Sequence, residues 1–204
     1  MQVEHAKLHV TPVTLIGRVV RLEPLSEAHV PGLAAVGLED EIWRYMLYGM
    51  IRSEQQMSAF VQDLLQRQAE GSDLPFAVIQ LTSGFPVGCT RYLNIHPDDR
   101  GLEIGGTWYG LAYQRTAVNT ECKYLLLKHA FERLGCIRVQ FKTDARNTRS
   151  QKSIERLGAV REGVLRSHMI TPEGYVRDSV FYSILIDEWP QVKVFLEEKL
   201  GYSI

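Results

Sequence analysis

The stretch from Tyr113 to Gly158, YQRTAVNTECKYLLLKHAFERLGCIRVQFKTDARNTRSQKSIERLG, decides the fold. A turn opens a long helical pattern from about Val118 to Leu134, with Cys122, Leu125, Leu126, Ala130 and Leu134 on its packed side. Gly135 stops it. The following residues alternate, with Ile137, Val139, Phe141 and Thr143 on one face and Arg138, Gln140, Lys142 and Asp144 on the other. That is a strand with a core on one side, or one that borders solvent. Asn147 then caps a second helix through Leu157, and Gly158 stands just past its end. Two helix N-termini flank one strand, an arrangement that assembles an anion site from backbone N–H groups.

Upstream, residues 1–14 are expected to form an arm, disordered or loosely packed on the surface, ahead of a single domain over 15–204. Leu15 to Leu25 is strand-like, and Ser26 caps a short helix from Glu27 to Leu38. Ile42 to Met50 (IWRYMLYGM) is dense in aromatic and Met side chains. It reads as core packing, or as one wall of a ligand pocket. Ser53 and Gln56 form a capping-box pattern before a helix to about Glu70. Residues 76–81 and 86–95 make a hairpin about Thr82-Ser83-Gly84, and Gly101 to Tyr109 is the next strand. In that strand Gly105 and Gly106 mark a bulge or the close approach of a ligand. Downstream, strands over 159–170 and 176–187 enclose a turn at Pro172-Glu173-Gly174. A final helix starts at Asp187, as its N-cap, and carries Trp189, Val192, Phe195, Leu196 and Leu200. Hairpins around a strand–helix–strand–helix centre give an α/β (mixed α+β) layer architecture.

Composition narrows the function. Lys and Arg (23) nearly balance Asp and Glu (24), which gives no global electrostatic case for nucleic acid or an anionic membrane. No apolar run reaches the roughly 20 residues of a transmembrane helix. The three cysteines lack metal-ligand spacing and read as reduced, buried thiols of a cytoplasmic protein without a metal. No Ser-His-Asp order or phosphate-binding GxxxxGK loop is present, so hydrolase and nucleotide-hydrolase readings lose support.

The segments LEIGGTWY, YQRTAVNTE, TDARNTRSQKSIERLGAVREGVLR and RDSVFYSIL, in this order, resemble the GCN5-related N-acetyltransferases. The closest branch is the one that acetylates N-termini of ribosomal proteins, and the resemblance covers about residues 13–190. It implies a splayed, mostly antiparallel sheet of six or seven strands with helices on both faces. It also implies acetyl-CoA as co-substrate, held by Thr107, Trp108, Gln114, Arg115, Thr116, Ala117, Val118, Asn119, Thr120, Asn147 and Arg149. In such proteins the turn before the long helix reads Gln/Arg-x-x-Gly-x-Gly/Ala. Here Ala117 stands at the Gly, Asn119 at the Gly or Ala, and Arg115 replaces a frequent Gly. A Cβ at Ala117 is strained if that position needs φ > 0 and harmless if it is helical, while Arg115 could serve as a phosphate ligand. Asn147 corresponds to the residue that binds the pantetheine arm, and Ser150 to a donor for the departing thiolate.

Amide formation from a thioester needs a proton acceptor for the amine and donors for the carbonyl oxygen. Backbone from Gly105 to Trp108 is the candidate for the second role. Glu103 is the candidate base, with Asp144, Glu162 and Asp178 behind it, and the bland reading pairs Glu103 with Arg91 or Arg138. His168 is a candidate pocket residue; Arg146 and Lys152 are candidate phosphate contacts or exposed charges. The function implied is acetyl transfer from acetyl-CoA to a primary amine, on a small molecule or a protein N-terminus, by direct attack in a ternary complex. The runner-up is a non-catalytic acyl-CoA-binding or regulatory module, and behind it a nucleotide-binding regulator. A homodimer through a late strand or the C-terminal helix is a further expectation.

Overall fold

A computed structural model describes residues 7–202, and the first six residues of the expected arm lie outside it. The strands are β1 (Leu15–Ile16), β2 (Val20–Pro24), β3 (Leu74–Gln80), β4 (Pro86–His96), β5 (Gly101–Tyr109), β6 (Arg138–Asp144), β7 (Val160–Ile170) and β8 (Val176–Leu185). The α-helices are α1 (Val30–Gly37), α2 (Asp40–Trp43), α3 (Glu54–Ala69), α4 (Ala117–Glu132), α5 (Thr148–Glu155) and α6 (Trp189–Leu200). One sheet contains all eight strands in the order β1-β2-β3-β4-β5-β6-β8-β7, one more than the upper count the resemblance implies. Among the described residues the single parallel pairing is β5 with β6.

Both sheet faces are covered, and β3 shows how. Its residues alternate between two cores: Leu74, Phe76 and Val78 join α4 and α6, while Ala77 and Ile79 join α1 and α3. The period of two puts successive side chains on opposite faces, so a strand between two helical layers is apolar at nearly every position. Helix α4 spans the first core with Cys122, Leu125, Leu126 and Ala130 buried, and Phe131 stacks on Trp189 of α6 at 5.4 Å. In the second core Trp43, Tyr48, Phe60 and Trp108 form an aromatic cluster. Ile42 and Trp43 are therefore packing residues, and Tyr45 to Met50 form a half-buried segment after α2.

Several expectations shift. The strand at 15–25 is broken after Ile16, because the buried Glu121 carboxylate of α4 accepts the N–H groups of Arg18, Val19 and Val20 at 2.7–2.8 Å. Gly17 lets that carboxylate in, since a Cβ there would run into it. A 3-10 turn at Glu27–His29 precedes α1, and Pro31 sits in the first turn, where its missing N–H costs nothing. Glu188, not Asp187, occupies the cap position of α6. Phe195 stays 41% exposed, on the flank of the buried Trp189–Val192–Leu196 stripe. In the segment before β1, Leu8 is buried in the first core, and its N–H donates to the Pro97 carbonyl at 3.1 Å.

Candidate active site

The site begins where β5 and β6 part. They pair over only three positions, Gly101–Glu103 against Arg138–Gln140. Beyond these, β5 keeps β4 as its partner, while β6 stays with β8 as far as Asp144 opposite Ser179. Gly106, at φ +57°, sits in a register shift of the β4–β5 pairing, and a Cβ on it would meet Arg91 Nε at 2.9 Å. The splay opens a cavity of about 290 Å³, with the N-terminal turns of α4 and α5 on one side and Tyr45–Tyr48 on another.

The expected cofactor residues divide. Thr107, Trp108, Gln114, Arg115, Thr116, Asn119, Thr120, Asn147, Arg149 and Ser150 all line the cavity, and Ala117 and Val118 do not. Val118 points into the core, and its N–H reaches Thr116 Oγ1 at 3.3 Å, the N-cap bond of α4. Ala117 is the first helical residue, so its Cβ carries no strain. The left-handed residue of the turn is Arg115, at φ +62°. Arg149 Nη1 donates to Gln114 Oε1 at 2.7 Å and Glu41 Oε1 at 3.2 Å, while Asn119 Nδ2 donates to Ser153 Oγ at 3.1 Å. These contacts tie the two helix mouths together. Asn147 Oδ1 accepts the Ser150 N–H at 3.0 Å, and its amide nitrogen is left for other partners.

Glu103 is 2% exposed. Its Oε2 accepts from Asn94 Nδ2 at 2.9 Å and Gln140 Nε2 at 3.1 Å, with Lys142 Nζ at 3.6 Å. Arg91 and Arg138, the partners the sequence offered, are engaged elsewhere, with Asp73 and Glu162. Glu103 Oε1 has no hydrogen-bond partner among the described residues, and it lies beside Gly105 on the cavity wall. Of the other candidate bases, Glu162 and Asp178 lie outside the cavity: Glu162 pairs with Arg138, and Asp178 accepts the Ser167 N–H at 2.7 Å. Asp144 lines the cavity but is gripped by a two-point fork from Arg146 at 3.0 and 2.8 Å. Burial pushes its carboxyl up, yet the Arg146 bonds and the charges of Arg146 and Arg177 outweigh that and hold it below the usual range. His168 is outside the cavity wall, bonded through Nδ1 to Ser179 Oγ at 3.0 Å. Lys152 is also off the wall, as is Arg146, whose guanidinium lies between the rings of Tyr45 (5.6 Å) and Tyr175 (3.5 Å).

Four cavity cations went unnoticed in the sequence: Lys123, Arg177 and, as wall residues, Arg91 and Lys142. Lys123 is buried, and its Nζ donates to Thr107 Oγ1 at 2.5 Å. Burial lowers its pKa to about 8, against the opposing pull of Cys122 and Glu103. Its spacing was the available signal, because positions three and four after Thr120 and Asn119 share their helix face.

A mixed sheet split at its one described parallel pair, with two helix N-termini and a wall of six cations against three carboxylates, defines an α/β protein with an open, cationic cavity. The chain belongs to the GNAT acetyltransferase family, whose acetyltransferase (GNAT) domain matches residues 20–160. A Bacillus subtilis (strain 168) protein, provisionally named the ribosomal N-acetyltransferase YdaF, is 30% identical over 109 residues. That match covers 53% of this chain and little more than half, 58%, of the relative. A crystal structure from T. thermophilus, provisionally named an acetyltransferase, superposes at a TM-score of 0.86 with 39% identity, covering 94% of this chain and 99% of the other. A GCN5-related N-acetyltransferase from Brucella melitensis gives 0.90 at 27% identity, covering 97% and 90%.

Proposed function

We propose that this protein transfers an acetyl group from acetyl-CoA to a primary amine, by direct attack while both are held in the cavity. The unpartnered Oε1 of buried Glu103, at the point where β5 and β6 separate, is the observation that carries the reading. Bound acetyl-CoA supplies the acyl group as an activated thioester. The residues present suit it: Arg115, Arg149 and the cavity-lining N-terminal turn of α4 at Thr116, Asn119 and Thr120 can take phosphates, and the Asn147 amide can take the pantetheine arm. Backbone N–H groups between Gly105 and Trp108 are assigned to the acyl carbonyl oxygen. Glu103 accepts the amine's proton, while the Ser150 hydroxyl donates toward the sulfur. Asn94 and Gln140 fix the carboxylate so that Oε1 faces the cavity.

The name of the Bacillus subtilis relative supports a protein N-terminus as the acceptor, and the half-buried wall after α2 leaves room for a small amine equally well. No described helix is long and apolar enough to cross a membrane, and the three buried, unpaired thiols suit a cytoplasmic setting. Exposed apolar side chains on β7 and α6, among them Leu165 and Val194, support a homodimer.

Calorimetric titration with acetyl-CoA, followed by thiol release across a panel of amines, tests the reading. Micromolar binding and amine-dependent release are expected. Absence of binding at millimolar acetyl-CoA refutes it, and binding without release selects the non-catalytic acyl-CoA module.

A further inference from the structure

Among the cations of the cavity and its rim, Arg115, Lys123 and Arg177 have no carboxylate within hydrogen-bonding distance among the described residues, and the others are paired. Arg91 Nη1 meets Asp73 at 3.0 Å, Lys142 meets Glu103 at 3.6 Å, and Arg146 grips Asp144 in its fork. Arg149 reaches Glu41 at 3.2 Å at the mouth. Arg115 is exposed to solvent, and the Lys123 ammonium has Thr107 and a lowered pKa. Arg177 is 4% exposed and lines the cavity, yet its nearest carboxylate oxygen is Asp144 Oδ2 at 4.0 Å, already taken by Arg146. Its one hydrogen bond among the described residues runs from Nε to Ser179 Oγ at 3.1 Å. Ser179 is itself held by His168, so the guanidinium is oriented with both η nitrogens unpartnered among the described residues. A buried guanidinium whose nearest carboxylate is shared with a second arginine gains from an anion that completes it.

We propose that Arg177 binds a carboxylate carried by the acceptor close to its reacting amine. The inference rests on the acetyl-transfer reading and adds a substrate class to it. The geometry of a guanidinium with both η nitrogens available matches a carboxylate in a two-point contact. The pantetheine arm is uncharged, and the cofactor's phosphates have Arg115, Arg149 and the α4 amides at the mouth. The anion that remains is the acceptor's. It can be the α-carboxylate of a free amino acid or the side chain of an acidic residue near a peptide N-terminus.

Two matched pairs distinguish these sources: an amino acid against its amide, and a C-terminally amidated tripeptide with Glu at position two against the same peptide with Gln. Each is titrated calorimetrically into the CoA-saturated protein, a measurement that needs no turnover, and each is assayed for acetylation. One acidic member is expected to bind at least tenfold more tightly than its neutral partner, and the pair that does so names the source. Arg177→Gln erases that preference through KM for the acidic member, with affinity for acetyl-CoA retained. Arg177→Lys, which keeps the charge and loses the fork, recovers part of it and covers the case in which Arg177→Gln fails to fold. Equal binding within both pairs in the wild-type protein overturns the proposal. So does a tenfold loss of acetyl-CoA affinity in either folded variant, which gives the cation to the cofactor's phosphates. If acetyl-CoA itself does not bind, the acetyl-transfer reading has failed, and the same titrations into the free protein decide the role of Arg177.

Discussion

Replacing Lys123 with Met tests the electrostatic description of the cavity. The ammonium sits at 6% exposure on α4 with Thr107 Oγ1 as its hydrogen-bond partner, and burial lowers its pKa from the ordinary 10.5 to about 8. In the unfolded chain Lys123 holds its proton up to the ordinary value. Between pH 8 and 10.5 the unfolded state therefore binds more protons, and stability rises with pH across that window. At pH 7 and below the full cost of the buried charge is present. At about 1.4 kcal/mol per pH unit, that cost is about 3 kcal/mol. Met keeps the apolar stem and has no charge, so the wild-type protein should gain about 3 kcal/mol on Lys123→Met as pH rises from 7 to 10.5. For a domain of this size the difference in melting temperature should move by about 6–12 °C. Urea titrations of both proteins at pH 7, 8, 9 and 10 measure it, and alkaline effects common to the two cancel in the difference. A difference that stays constant across this range refutes the reasoning, because it means the ammonium is hydrated within the cavity.

Three further outcomes are expected. Glu103→Gln keeps the shape and the Asn94 and Gln140 contacts in part but removes the proton acceptor; kcat should fall about 10²–10⁴-fold with acetyl-CoA affinity unchanged, and unaltered turnover removes Glu103 from the base role. Arg115→Gly relieves a left-handed Cβ while adding unfolded-state freedom, so stability should change by less than about 1 kcal/mol. Acetyl-CoA affinity in that variant should fall about tenfold or more if the guanidinium holds a phosphate; calorimetry at two salt concentrations measures it. Glu121→Gln leaves an amide where one carboxylate accepts three backbone N–H groups and the Tyr202 hydroxyl. A loss of about 3 kcal/mol in a denaturant titration is expected, and one below about 0.5 kcal/mol contradicts the structural role.

Local periodicity made most of the fold legible. The capping pattern at Ser53, the glycine stops and the alternation in β6 each depend on neighbours within a few residues, and the structure places those elements within a few residues of the reading. What escaped depends on distant groups. Nothing near Gly17 announces that a carboxylate 101–103 residues away will take the next three amides and break the strand. Motif alignment drew attention to Ala117, whereas backbone geometry puts the left-handed turn residue at Arg115. Lys123 looks like a polar interruption of an apolar helix, and Arg177 like the polar member of an alternating strand. The significance of Arg177 comes from a count of carboxylates across β5, β6 and β8, which no single segment contains.

The splay follows from competition between strand partners. β5 is held by β4 along most of its length, with the shift at Gly106 absorbed inside that pairing, and β6 is held by β8 over seven positions. Three parallel pairs between β5 and β6 cannot keep the strands together once each follows its outer neighbour. From Ile104 and Phe141 onward their inner edges face the cavity without pairing to each other. Buried backbone N–H and C=O groups require partners, so such a slot favours an extended ligand with amides of its own. On the proposed function, the pantetheine arm of acetyl-CoA would meet that requirement, and the cofactor's phosphates would lie at the helix mouths. Glu103 is the last β5 residue in register with β6, so the candidate base occupies the closed end of the slot, where the reactive end of such a ligand would arrive.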